Sequence, residues 1–355
     1  MKKSKEFAKN GAWIFGLGNA FLNLMRQLDE MDKNPDLNFK WQELFVAAGK
    51  GAIVGGVAGF GIGAIKDHNN SLERPIDLNR YLVTLAESLM LDKSDPEFVG
   101  LNKSVKKIVV DFMKHFGTKI NGELIPHGST EKGTALHDSF DIDIAIPFHP
   151  RSFANNEVMY NEVLAFFEDR QGTLGITDIR EQKRSIGVCV SVNGSDHWVD
   201  FAPYKLSKEN SNSGYLFVNK RGFFVDNSTI QKTDLSKLKK VRFSDTQKKL
   251  IVLLKKWKLS YELPLPSHFL EYLVEDAYRA NKGVVPRKIE QKMVMILKHI
   301  ADRLHIFHIK GNENTNNIIS NSIDDYDKQT VIDACNSAIK DYEYQPNSLT
   351  KVFDI

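Results

Sequence analysis

The sequence predicts an α+β protein in which a mixed sheet with flanking helices is followed by a C-terminal helical lobe and preceded by a helical, glycine-rich N-terminal extension. Three observations predict it. Apolar residues recur at helical spacing as far as Phe116, alternate with period two between about residues 124 and 202, and return to helical spacing beyond Lys232. With 355 residues, 42% of them hydrophobic, the chain can bury more than one core. The expected division is an N-terminal extension over 1–74, a sheet domain over 75–235 and a helical domain over 236–355.

The extension opens with an amphipathic stretch carrying Trp13, Phe15, Leu17, Phe21, Leu22 and Met25. Lys9, Arg26 and Asp29 interrupt its apolar residues, so it does not read as a cleaved signal peptide. In the next stretch, 44–65, Gly51, Gly55, Gly59 and Gly63 fall four apart, which on a helix leaves one bare face suited to close packing in lipid. Membrane contact through 44–65 is therefore one reading and a glycine-rich connector the other.

From Pro75 onward the elements follow in order. Helices are expected over 78–91, with Leu82, Leu85 and Leu89 on one face, and over 96–116, with Leu101, Val105, Ile108 and Phe112 in register. A short strand then runs into His127-Gly128-Ser129, followed by a polar turn with a small helix and an alternating strand over 141–146 closed by Pro147. Ile186, Val188, Val190 and Val192 form one arm of a hairpin, Asn193-Gly194 its turn, and 197–202 the returning strand that carries Asp200. Ser244-Asp245-Thr246-Gln247 is a capping-box pattern that opens a helix through Leu250, Leu254 and Trp257. Further helices are expected over 267–280, 286–304 and 325–340, with an Asn-rich loop over 311–317.

Forty-eight basic against 45 acidic residues give a formal charge of +3, too small to imply a long polyanionic partner, so direct nucleic-acid binding is not supported. Cys189 and Cys335 sit far apart inside apolar patterns, with neither metal-ligand nor disulfide spacing, which fits a reducing cytoplasm. Membrane association through 44–65 is the alternative location.

In a strand, alternate side chains share a face, so Asp141 and Asp143 project together, roughly 7 Å apart at the backbone. Two carboxylates so placed repel unless a cation lies between them, and hard divalent ions such as Mg²⁺ favour such oxygens. Alone, this pattern reads as a solvated strand face. Asp200, mid-strand between Val199 and Phe201, adds a third acid that is expensive to bury unpaired. Upstream, Gly128-Ser129 opens a turn whose backbone N–H groups and hydroxyl can hold phosphate oxygens, and Gly133-Thr134 extends that loop. Both pairs can equally be ordinary turn residues.

The run HGSTEKGTALHDSFDIDIAIPF, followed by VDFAPY, resembles the GS, DxD and third-Asp signature of the polymerase-β-like nucleotidyltransferases. Within them it is most similar to the cGAS/DncV-like enzymes (CD-NTases) of bacterial CBASS anti-phage systems and to the oligoadenylate synthetases. LIVLLKKWKLSYELPLPSHFLEYLVEDAY is similar to the helical segment those enzymes place over the donor triphosphate, and NENTNNI resembles their Asn-rich tail.

The resemblance implies a nucleotidyltransferase palm with two divalent ions, Mg²⁺ or Mn²⁺, on Asp141, Asp143 and Asp200, the last taking the proton of an attacking hydroxyl. It places donor phosphates on Gly128 and Ser129, with Thr134 in the same loop. Lys255 or its neighbour Lys256 joins Ser267 on the β- and γ-phosphates, and Arg184 is a weaker phosphate candidate. His268 stands where the family commonly has a base-stacking Tyr, which leaves base preference open.

The implied activity joins nucleoside triphosphates, ATP among them, into a cyclic or linear oligonucleotide second messenger with release of pyrophosphate, in anti-phage defence. A separate effector would bind the product. Transfer to a small molecule, tRNA or protein is a second reading. An inactive membrane-associated scaffold is a third.

Overall fold

Helix α2 (Pro96–Phe116) organises the first core. Pro96 suits the first helical turn, where no N–H is needed, and the Asp95 carboxylate caps the helix by accepting from the backbone N–H groups of Glu97 and Phe98. Phe98, Leu101, Val105, Ile108, Phe112 and Phe116 recur at helical spacing and are all buried. Phe112, fully buried, has the rings of Phe116 and Phe166 at centroid distances of 4.7 and 4.9 Å.

The structure is a computed structural model that describes residues 77–208, 213–219, 221–222, 225–226, 229–234, 242–306 and 323–353. The stretch 44–65 and the Asn-rich run 311–317 lie outside the described residues. Among the described residues no helix is long and apolar enough to cross a membrane.

Helix α1 (Leu78–Leu89) precedes α2, and the sheet follows: β1 (Ile125–His127), α3 (Gly128–Lys132), β2 (Ile142–Phe148), α4 (Asn156–Glu168), β3 (Ile176–Glu181), β4 (Ile186–Val192), β5 (Ser195–Leu206), β6 (Ser213–Val218) and β9 (Thr229–Asp234). The strand order is β1-β2-β5-β4-β3, with β6 pairing the far part of β5 and then β9. A separate two-stranded ribbon joins β7 (Arg221–Gly222) to β8 (Val225–Asp226). The β2–β5 pair is parallel, while β1–β2, β4–β5 and β3–β4 are antiparallel. Asn193 and Gly194, with φ of 53° and 87°, make the tight β4–β5 turn expected of an Asn-Gly pair.

Two differences from expectation are instructive. Strand β2 does not close at Pro147 but runs through it to Phe148. The β1 register ends at Ala145, so the missing N–H removes no β1 rung, and β5 continues alongside as far as Phe148. Helix α1 follows Pro75 in sequence but packs with the helical lobe, where Leu78, Leu82, Leu85 and Ala86 share a core with Leu254 and Trp257. An apolar helical stripe states that a helix is buried, not against which lobe it is buried.

That lobe comprises α5 (Asp245–Ser260), α6 (Ser267–Ala280), α7 (Ile289–Arg303), α8 (Asp325–Tyr344) and α9 (Ser348–Phe353). Ser244 and Gln247 form the expected reciprocal capping box at the start of α5. Asn79 of α1 accepts from the backbone N–H of Ile289, tying α1 to the start of α7. Cys189 and Cys335 are free and buried.

Truncating Phe112 to Ala opens a cavity at the centre of the aromatic cluster. Such losses cost about 3–5 kcal/mol. Urea denaturation of Phe112→Ala should show a midpoint lowered accordingly, with an unchanged denaturant slope.

Candidate active site

The sheet has one apolar and one acidic face. Ile142, Ile144 and Ile146 of β2, Ile186, Val188 and Val190 of β4, and Val199 and Phe201 of β5 are buried in one core with residues of α2 and α4. Period-two alternation therefore sends Asp143 and Asp200, and Asp141 just ahead of β2, to the opposite face. The parallel register makes Asp143 and Asp200 direct neighbours, while the antiparallel β1 register sets His127 opposite Asp143.

Gly128 closes this corner. Its φ is +79°, and a Cβ built there would lie 1.8 Å from Oδ2 of Asp143, so both backbone and space demand glycine. The turn into α3 thus rests directly on the Asp143 carboxylate. Ser129 is the second residue of α3, and its carbonyl accepts from the N–H groups of Gly133 and Thr134.

Burial, together with repulsion from Asp200 and Asp141, pushes Asp143 up to about 7. Burial and Asp141 raise Asp200, with Arg180 and a Gln182 hydrogen bond acting against them. Burial raises Asp141 too, again opposed by Arg180. Among the described residues no group of three His, Cys, Asp or Glu side chains is placed to hold a metal ion. The donor types are nevertheless of the kind hard divalent cations take, since Asp141, Asp143 and Asp200 offer an all-oxygen set.

Several neighbours were not singled out by sequence. Gln182 donates to Asp200 at 3.0 Å, and its backbone is pinned by the Tyr160 hydroxyl, which donates to the carbonyls of Gln182 and Ser185. Arg180 reaches Asp200 at 3.9 Å. Burial lowers His127 to about 4, helped by Lys132, so its imidazole is neutral at physiological pH. Its Nε2 is buried with no hydrogen-bond partner among the described residues. Arg180 and Gln182 carry no sequence signal, because their nearness to the acids arises only from strand pairing.

A buried polar hub joins the two lobes beside the acids. Glu271 of α6 accepts from Lys132 at 2.7 Å and from the Thr134 hydroxyl at 2.6 Å, and Lys255 of α5 lies at 3.5 Å. Lys255 also donates to the Thr134 carbonyl at 2.9 Å. Burial works against the Glu271 carboxylate, but Lys132 and Lys255 outweigh it and hold it below its usual range. Burial pulls Lys255 below its usual range despite Glu271.

Thr134, expected in the phosphate loop, is fully buried and donates its hydroxyl to Glu271 across the lobes. Lys255 is buried against Glu271, while Lys258 of the same helix lies 3.4 Å from the Ser267 hydroxyl. The helical stripe of lysines cannot say which of them turns inward. Lys256 is half-buried, within electrostatic reach of Asp138. His268 is exposed at the start of α6, and Arg184 is exposed on the β3–β4 turn; Arg180, on β3, lies 3.9 Å from Asp200.

No family model matches the sequence, and no curated protein does. Solved structures with the same fold exist. E. coli MS115-1 CdnC with ATP is similar at a TM-score of 0.60 and 18% identity, over 78% of this chain and 98% of that one. The Bradyrhizobium diazoefficiens CD-NTase CdnG in complex with GTP gives 0.59 and 12%, over 78% and 93%. The Cid1 poly(U) polymerase, with Mg and 3′-dATP bound, gives 0.54 and 12%, over 78% and 98%. The chain therefore shares its fold with these two CD-NTases and with the Cid1 poly(U) polymerase.

The raised Asp143 has a consequence for stability. Between the ordinary value of 3.8 and about 7, the folded state keeps a proton that the unfolded state has lost, so without divalent ions this group's contribution falls as pH rises through that window. Asp143→Asn in chelator should raise the thermal midpoint by several degrees at pH 8, and the gain should fade as pH falls toward 4, measured by calorimetry.

Proposed function

We propose that the chain is a metal-dependent nucleotidyltransferase that condenses nucleoside triphosphates into a cyclic or linear oligonucleotide second messenger, in anti-phage defence. The observation that carries this reading is the parallel pairing of β2 with β5, which sets Asp143 beside Asp200 against the Gly128 turn. CdnC and CdnG, which share the fold, hold ATP and GTP, in keeping with nucleoside triphosphate substrates and with ATP among them.

Asp141, Asp143 and Asp200 would hold two divalent cations, Mg²⁺ or Mn²⁺, and these would neutralise triphosphate charge and acidify an attacking hydroxyl. The remaining work falls to the chain's own groups. The N–H groups and hydroxyl of the Gly128-Ser129 turn would receive donor phosphates, next to the Asp143 carboxylate. Lys132 and Lys255 lie within electrostatic reach of Asp143, so a triphosphate on that turn would meet positive charge from the lobe interface. Lys258 and Ser267, bridging α5 and α6, would take its far end.

Asp200, oriented by Gln182, would accept the proton of a ribose hydroxyl as that oxygen attacks the α-phosphorus. The bond from the α-phosphorus to its bridging oxygen breaks, and pyrophosphate leaves. His268, exposed at the head of α6, is the candidate for stacking on the donor base. A separate effector would bind the released product.

Purified full-length protein incubated with the four ribonucleoside triphosphates and Mg²⁺ or Mn²⁺ should yield phosphatase-resistant products identifiable by mass. Asp200→Asn should slow the reaction by about 10²–10⁴-fold, the usual scale for removing a catalytic acid or base. Untouched triphosphates under both metals, for wild type and for Asp141→Ala/Asp143→Ala alike, would refute the synthase reading. Extension of an RNA primer instead would assign transfer to a chain end.

A further inference from the structure

Two cations act on different members of the acidic set. Lys132, fixed by the buried hub, acts on Asp143. Arg180, on edge strand β3, acts on the outer pair, Asp141 and Asp200. The two are held very differently. Lys132 is 15% exposed and held in a 2.7 Å ion pair with the buried Glu271, whereas Arg180 is 44% exposed and stands 3.9 Å from Asp200, beyond hydrogen-bond length. What seats Arg180 is the Trp198 ring, with its guanidinium carbon 3.9 Å from the ring centroid.

Room for that seat is made by Gly187, the β4 residue directly opposite Asp200. A Cβ at Gly187 would lie 2.7 Å from both Cγ and Nε of Arg180 and 3.0 Å from Nε2 of Gln182. Gly187 has ordinary strand φ, so the bare position serves space and not backbone conformation.

We propose that Arg180 is a displaceable internal counter-ion: it neutralises Asp200 and Asp141 while no divalent ion is present, and withdraws along the Trp198 ring when an ion takes those carboxylates. This rests on the metal-dependent reading of the three acids. Arg180 is then a positioning residue whose grip sets how tightly the nucleotide-free protein takes up divalent ions. A fixed structural arginine would show a hydrogen-bonded carboxylate, as Gln182 does for Asp200.

The test is Mn²⁺ binding to the full-length, nucleotide-free protein, read from the loss of the free-ion electron paramagnetic resonance signal. Arg180→Met removes the charge, and Gly187→Ala evicts the side chain while keeping it. Both should bind Mn²⁺ about fivefold more tightly than wild type, the scale of one partly exposed charge. Arg180→Lys should stay near wild type, and Asp143→Asn should lose most binding. Tighter binding in both Arg180→Met and Gly187→Ala supports the proposal. Wild-type or weaker affinity in Arg180→Met, with Mn²⁺ uptake still dependent on Asp143, overturns this inference alone. If wild type binds no Mn²⁺ through Asp143, the inference falls together with the metal-dependent reading.

Discussion

The constraint on which the rest depends is the parallel pairing of β2 with β5. It forces two carboxylates into adjacent positions on one face of a sheet whose other face is a closed aromatic and aliphatic core. A one-residue slip of β2 in that register would turn Asp143 toward the core and send the β2 isoleucines outward, so the core itself enforces the acidic face. Like charges held this close stay ionised only with help. The surroundings offset only part of the repulsion, in three forms: Gln182 by a hydrogen bond, Arg180 from the edge, and Lys132 from the lobe interface.

The helical lobe is joined to this face by a polar contact where an apolar one would be the default. Glu271 binds Lys132 and Thr134 of the sheet lobe while facing Lys255 of its own. Buried ion pairs contribute little net stability compared with apolar packing, but removing one partner is strongly unfavourable. Such a contact fixes how the lobes sit without gluing them, and it leaves two lysines beside the carboxylates. An arrangement with acids on one side and lysines on the other suits a ligand that brings metal cations and phosphate anions together.

Much of this was legible in the residues. The alternation around Asp143 and the Asn-Gly turn ahead of Asp200 foretold which face carries the acids, and the Ser244 capping box marked the start of α5. Gly128 was legible as a turn residue, but its contact with the Asp143 carboxylate was not, because that depends on a β1–β2 register that local patterns do not encode. The lobe against which helix α1 packs was illegible for the same reason: periodicity reports burial and is silent on partners. The lysines of α5 divide in the fold into one buried at the hub and one on Ser267, a division of a few tens of degrees around a helix that its charge pattern cannot resolve. Arg180 and Gln182 carried no motif, since their importance comes from strand neighbours far away in sequence.

The central claim is that Asp141, Asp143 and Asp200 act as one cation-holding unit beside the Gly128 turn. Anomalous diffraction at the manganese edge, from crystals grown with Mn²⁺ and a non-hydrolysable nucleoside triphosphate, tests it most directly. The account predicts anomalous density within about 2.1–2.3 Å of carboxylate oxygens from both β2 and β5, with the triphosphate on the Gly128-Ser129 turn. Manganese bound elsewhere, or to one strand's carboxylates with Asp200 uninvolved, would contradict it.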